Sequence, residues 1–275
     1  MSAALPAPLS APLASRPAAH QAAALFRAAV LPVALLVLWQ FWAMSLPAAT
    51  RAPTPLRVLA TFRELVGNGD LPTATVLSLG RVLAGFVAAL VAGVTLGLMM
   101  GTFRTLRNMI EPIVESFRPV APMAILPVAI LFLGTGTPAA LAIVAYAAFF
   151  PLLLNTIHGV SNVNRKLVLA ARTMGVPRLR IFTRVVLPAS LPSVLLGSRL
   201  AMGAAWTAII AAELAVGAKS GGGTSGGIGQ MMFVFYAYSV DLNGIVVCMI
   251  TVGLVAFLID RAFRAIEHRL IHGGQ

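Results

Sequence analysis

The chain has 275 residues, of which 59% are hydrophobic and only 10% charged, with a formal charge of +12 and a mean hydropathy of +0.92. This composition excludes an ordinary soluble domain, and the apolar residues fall in runs long enough to cross a bilayer. In such a chain the positive charge reads as Arg-rich loops facing the cytoplasm and anionic lipid rather than as a nucleic-acid surface. The single cysteine, Cys248, lies in an apolar run and leaves no intrachain disulfide.

Residues 1–27 are rich in Ala and Pro and are expected to form a disordered cytoplasmic tail. The first span, 28–46, follows too long a leader to be a cleaved signal peptide and reads as a retained signal-anchor helix, with Trp39, Phe41 and Trp42 as interfacial anchors. Segment 47–78 is an outer amphipathic element, in which Leu56, Leu59, Phe62 and Val66 share one helical face before a Gly-Asn-Gly exit. A second span, 79–101, carries Gly85, Ala89, Gly93, Gly97 and Gly101 at an interval of four. That ridge permits close backbone approach, either within the subunit or between subunits.

A basic turn, TFRTLRNMIEPIVESFRP, leads to a third span at 119–134 with Pro119, Pro122 and Pro127. Three prolines disfavour a regular helix there, so Pro122 and Pro127 mark either a pathway element or a kinked packing helix. The fourth span covers 138–157 and the fifth 194–216, where Gly197 and Ala201 again form a small-residue face and Trp206 is a candidate pathway residue. Arg199 and Glu213 in the fifth span are separated by about 21 Å of helix and do not pair with each other. Arg199 is expected to snorkel to the cytoplasmic interface, and Glu213 is either interfacial or turned to the pathway. Ala218 to Met231 is Gly-rich but lacks the order of a phosphate-binding loop, and reads as a flexible outer loop. A sixth span, 242–260, ends in a basic amphipathic tail.

Between the fourth and fifth spans lies LVLAARTMGVPRLRIFTRVVLP, residues 167–188. Val163, Leu167, Ala171 and Met174 recur at helical spacing, Gly175 suits a left-handed C-terminal position, and Pro177 suits the first position of a second helix. In that helix Leu179, Phe182 and Val185 share one face, while Arg178, Arg180 and Arg184 point elsewhere. Such an elbow either rests on lipid headgroups or docks into a partner's groove. With both termini inside, fifteen of the twenty Lys and Arg residues fall on the cytoplasmic side, the elbow's and Arg118 among them.

Catalytic chemistry has little to work with. There is no H-E-x-x-H, no clustered acid set at metal spacing and no G-x-S-x-G elbow, and His158 and His268 stand apart as interfacial residues. Glu213 is the one acid expected inside the apolar layer, which weighs against an ion-driven transporter. A pathway-forming membrane subunit without an energy source of its own, a self-sufficient secondary transporter or channel, and a membrane scaffold are the readings that remain.

Ala170-Ala171, three residues, Gly175, nine residues, Val185, Val186 and Leu187-Pro188 resemble the EAA signature of permease subunits of bacterial ABC importers. Leu169 stands where that signature has Glu, and Val185 where it has Ile. The resemblance extends over about residues 50–270 and is closest to the branch importing nitrate, taurine and aliphatic sulfonates, through TPLRVLATFREL, LGRVLAGF, FRPVAPMAILPVAILFLGTG and AAFFPLLLNTIHGV. It implies an all-α polytopic permease of about six transmembrane helices in the bacterial inner membrane. The permease domain would be 79–262, with a cytoplasmic coupling loop at 158–192 and a cytoplasmic tail at 263–275. It also implies a second permease copy, two cytoplasmic ATPase subunits that bind ATP and Mg, and a periplasmic binding protein. The permease chain itself would be non-catalytic, without cofactor or metal. On this resemblance Leu169, Ala170, Ala171, Gly175, Leu187 and Pro188 couple to the ATPase: the small residues allow close contact, and Leu187-Pro188 ends the elbow.

Overall fold

Every regular element is helical among the residues described by the structure, a computed structural model covering 18–46, 52–217 and 226–272. Two units separate at Arg57. In the first, α1 (Ala18–Ser45) starts inside the stretch expected to be a disordered tail. Its Ala-rich opening has high helix propensity, and residues 1–17 of that expectation lie outside the described ones. The apolar part of α1 is Val30–Ser45, shorter than a full span.

The second unit runs from Val58 to Gln275. Leu56, Leu59, Phe62 and Val66 do form an exposed apolar face on α2 (Pro55–Gly67). After Gly69, which takes φ of 80°, α3 (Asp70–Thr102) begins well before the span expected at 79. The buried positions Leu71, Ala74 and Ser78 continue the helical period of the span back to Asp70, so the last third of the supposed outer segment belongs to α3.

The basic turn expected after this span is a helix, α4 (Arg104–Phe117). Leu106, Ile110 and Val114 recur every fourth residue and pack on Met100, Leu153 and Ile157, which rewards helix formation despite Pro112. The next segment is also a regular helix, α5 (Pro122–Leu133), against the expectation from its prolines. Pro122 is at the first helical turn, where its missing N–H costs nothing, and only Pro127 interrupts the interior. α4 and α5 meet at a bend of 96°. Among the described residues the six expected spans thus resolve as four long apolar helices, one bent pair and the shorter Val30–Ser45.

α6 (Thr137–Ser161) is the centre of the bundle. On one side it runs parallel to α3 at a constant offset: Gly85 faces Val144, Gly93 faces Leu152, Gly97 faces Thr156 and Gly101 faces Val160. A Cβ at Gly97 would lie 2.6 Å from the Thr156 Cβ, so the glycine ridge is what lets these two helices touch. Ala89, also on the ridge, is buried. On the other side α6 runs antiparallel to α9 (Leu187–Gly217), with Gly197 against Asn155 and Gly159 against Ser193. Ala201 is fully buried.

α7 (Arg165–Thr173) and α8 (Arg178–Ile181) make the elbow, and a π-helical turn, Phe182–Val186, joins α8 to α9. Of the Gly-rich segment, 228–231 belong to a docked helix, α10 (Ile228–Val234), rather than to a flexible loop, and 218–225 lie outside the described residues. Gly229 sits so close to Ile210, Glu213 and Leu214 of α9 that no side chain fits there. A second π-helical turn, Phe235–Ser239, leads to α11 (Leu242–His272), which continues as helix through most of the expected tail.

Candidate coupling elbow and central cavity

The elbow is built from local hydrogen bonds. Asn164 caps α7, its side-chain oxygen accepting from the Lys166 N–H at 3.0 Å. At the other end the Gly175 N–H donates to the Arg172 carbonyl and the Val176 N–H to the Ala171 carbonyl, the paired bonds of a Schellman motif. Gly175 takes φ of 72°, a conformation that L-residues with a Cβ rarely adopt. Pro177 is the N-cap of α8 rather than its first helical residue, and its carbonyl accepts from Arg180 and Ile181. Pro177 is set back by one because its ψ of 146° is extended.

Two apolar side chains hold the elbow to its own chain, Ala171 and Ile181, both buried. The small size of Ala171 therefore serves packing inside the subunit, whereas Ala170 and Gly175 are exposed. Leu169, Met174 and Leu179 are also exposed, at 54%, 74% and 76%, on an elbow that exposes Arg165, Lys166, Arg172, Arg178 and Arg180 as well. Leu187-Pro188 does not end the elbow. The helix runs on from Arg178 to Val216 because the π-helical turn, closed by Leu187 N–H donating to the Phe182 carbonyl, widens the ladder just where Pro188 lacks an N–H.

A cavity of about 690 Å³ lies between α5, α6 and α9. Residues 146–155 of α6 and 200–211 of α9, the middle turns of both helices, form its walls, and Arg118 and Pro122 border it at the α4–α5 bend. The Tyr146 hydroxyl holds that bend by donating to the Phe117 carbonyl at 2.7 Å, with the Val120 carbonyl 3.3 Å away. Of the four candidate pathway residues, only Pro122 lines this cavity. Trp206 is buried and its indole N–H donates to the Val252 carbonyl of α11 at 3.1 Å.

Glu213 is neither interfacial nor turned to the cavity. It is 3% exposed and accepts from Arg81 at 2.8 Å, from the Ser78 hydroxyl at 2.7 Å and from the Gly229 N–H at 3.1 Å. The Ile228 N–H in turn donates to Ser78 at 2.9 Å, so one carboxylate ties α3, α9 and the start of α10. Arg199 likewise has a partner, Asp260 of α11 at 2.7 Å, and Asp260 also accepts from Arg264. The readable signal for both pairs was the presence of opposite charges inside separate apolar spans, each needing a partner in a low dielectric.

Residues 89–272 match the family of binding-protein-dependent transport system inner membrane components. The chain belongs to this family. Among its relatives, the taurine transport system permease protein TauC of Escherichia coli is 31% identical over 245 residues, covering 87% of this chain and 86% of that one. The bicarbonate transport system permease protein CmpB of Synechococcus elongatus is 33% identical over 238 residues, covering 82% of each. A solved structure of the MetNI methionine ABC transporter, in an inward-facing conformation, has the same fold at a TM-score of 0.61 and 18% identity, over 73% of this chain and 95% of that one. The chain is thus a membrane-embedded ABC transporter permease subunit of the branch that includes taurine and bicarbonate permeases.

Proposed function

We propose that this permease subunit pairs with a second copy of itself, two cytoplasmic ATPase subunits and a periplasmic binding protein to import a small oxyanion of the sulfonate, nitrate or bicarbonate type. The observation that carries the reading is the rigid elbow with its exposed Leu169, Met174 and Leu179. Exposed apolar side chains interspersed with cations, on a chain without a phosphate-binding loop, suit a motor protein's groove. ATP and Mg belong to that motor, and both termini of the permease lie in the cytoplasm.

The mechanism follows from helix continuity. α8, the π-helical turn and α9 form one helix from Arg178 to Val216, and its middle turns wall the cavity. Closure of an ATPase dimer moves the elbow, the continuous helix carries the displacement into the cavity wall, and access alternates. An ion-driven transporter would need a free acid, and the Glu213 carboxylate is engaged by Arg81.

Reconstitution of the chain with its ATPase and binding protein in proteoliposomes tests this reading. ATP-dependent uptake of labelled taurine or bicarbonate, abolished by Gly175→Arg, is the expected result. Uptake by the chain alone, insensitive to that substitution, overturns it.

A further inference from the structure

The cavity beside the α4–α5 bend has one charged lining residue, Arg118. We propose that Arg118 is the anion-contact residue of the translocation cavity, and that it makes the cavity prefer a small oxyanion to a neutral or cationic solute. This rests on the importer reading for its purpose but on the following geometry for its evidence.

The chain order alone places Arg118 in a basic connection between spans. In the structure α4 instead climbs beside α6: Arg107 lies 3.4 Å from Ser161 at the end of α6, Val114 packs near Leu153, and the Phe117 carbonyl reaches Tyr146. Tyr146 is about 14 Å of helix from the start of α6, close to its midpoint. Arg118 therefore borders the same cavity as the central turns of α6 and α9, and is exposed there. The Tyr146 hydroxyl grips carbonyls on both sides of it, so the position is held rather than incidental.

The remaining polar side chains of the wall each donate to backbone, and only Asn155 keeps a further N–H and its carbonyl oxygen for a solute. Tyr146 donates to the bend, Asn155 donates to the Pro151 carbonyl, and Thr207 donates to the carbonyls of Gly203 and Ala204. The Arg118 guanidinium makes no ion pair or hydrogen bond among the described residues. No acid lines the cavity; Glu111 and Glu115 border a smaller recess that Arg118 also touches, and Glu111 is taken by Arg107. The Arg118 side chain is exposed where it borders the cavity, Glu115 shares the smaller recess with it, and the mostly apolar cavity walls focus the guanidinium's field. Its fork of N–H donors matches two oxygens of a sulfonate, nitrate or bicarbonate.

The test reads the cavity's potential directly. In the full chain in proteoliposomes, with Cys248→Ser, a Thr207→Cys reporter is reacted with negatively and positively charged methanethiosulfonates. The anionic-to-cationic rate ratio should fall at least about tenfold on Arg118→Gln. Arg118→Lys should keep most of the ratio. A ratio unchanged by Arg118→Gln overturns the proposal. Should that variant fail to insert, the Arg118-bearing chain still decides: millimolar ethanesulfonate is expected to slow reaction with a neutral reagent where choline does not, and equal rates overturn the proposal. Neither readout needs the ATPase or binding protein. Loss of ATP-dependent uptake in the assembled system would therefore overturn the importer reading while leaving the modification ratio to judge Arg118.

Discussion

Arg81 and Glu213, 132 residues apart, form an ion pair of 2.8 Å in which the carboxylate is almost wholly buried. Because Ser78 and the Gly229 N–H share the same carboxylate, the pair fastens α3 to α9 and orients the start of α10. Removing one partner leaves a buried charge uncompensated, at a cost of about 3–5 kcal/mol. Glu213→Ala should therefore lower the unfolding temperature in detergent markedly. The double variant Glu213→Leu with Arg81→Met should regain part of that loss, since no charge is then stranded. Equal stability of the single variant and the parent would show the pair to be dispensable.

The glycine ridge makes a second prediction, by contrast between two glycines. A Cβ at Gly97 meets Thr156 at 2.6 Å and the Leu153 carbonyl at 3.0 Å, whereas at Gly203 nothing lies within 4 Å. Gly97→Ala should cost about 1–3 kcal/mol through separation of α3 from α6. Gly203→Ala should be neutral or stabilising by up to about 1 kcal/mol, from helix propensity alone. Thermal unfolding of the two variants side by side checks both signs.

At the elbow, φ of 72° at Gly175 distinguishes backbone from bulk. There is open space around the glycine, so substitution costs arise from the left-handed conformation and not from a clash. Gly175→Asn should retain most coupled ATPase activity, because Asn enters this region readily, while the β-branched Gly175→Val should lose most of it. Similar activity in both variants would mean that the Schellman turn does not set the elbow's shape.

Leu169 stands at the Glu position of the EAA-like signature, and it is exposed on the elbow. The partner groove opposite an apolar residue should offer no cation to receive a carboxylate. Leu169→Glu is then expected to weaken ATPase binding about tenfold or more, the cost of desolvating an unpaired charge. Affinity measured between the purified subunits decides it, and tighter binding by the Glu variant would refute the expectation.

Much of the elbow was legible without tertiary information. Gly175 and Pro177 act through hydrogen bonds and dihedral preferences spanning five residues or fewer, so a helix, a left-handed stop and a second helix follow from their order, while the Asn164 cap was seen only in the structure. The small-residue ridge from Gly85 to Gly101 was equally plain as a site of close approach. Spacing could not name the facing helix, because any helix with a complementary surface fits a smooth groove. Pro188 departs from its local preference for a related reason: a proline ends a regular ladder, but a π-helical turn ahead of it changes which N–H each carbonyl needs.

By itself, then, the order of residues determined the membrane class, the helical character of the segments, the position of the elbow and the need of each intramembrane charge for a partner. Only the tertiary structure decided which partners those were: α6 for the ridge, Arg81 for Glu213 and Asp260 for Arg199. It also decided that the α4–α5 bend brings Arg118 to the cavity walled by the central turns of α6 and α9. Local preferences reach only one or two turns along a chain, whereas pairing of buried charges depends on which distant helices the packing of small faces brings together.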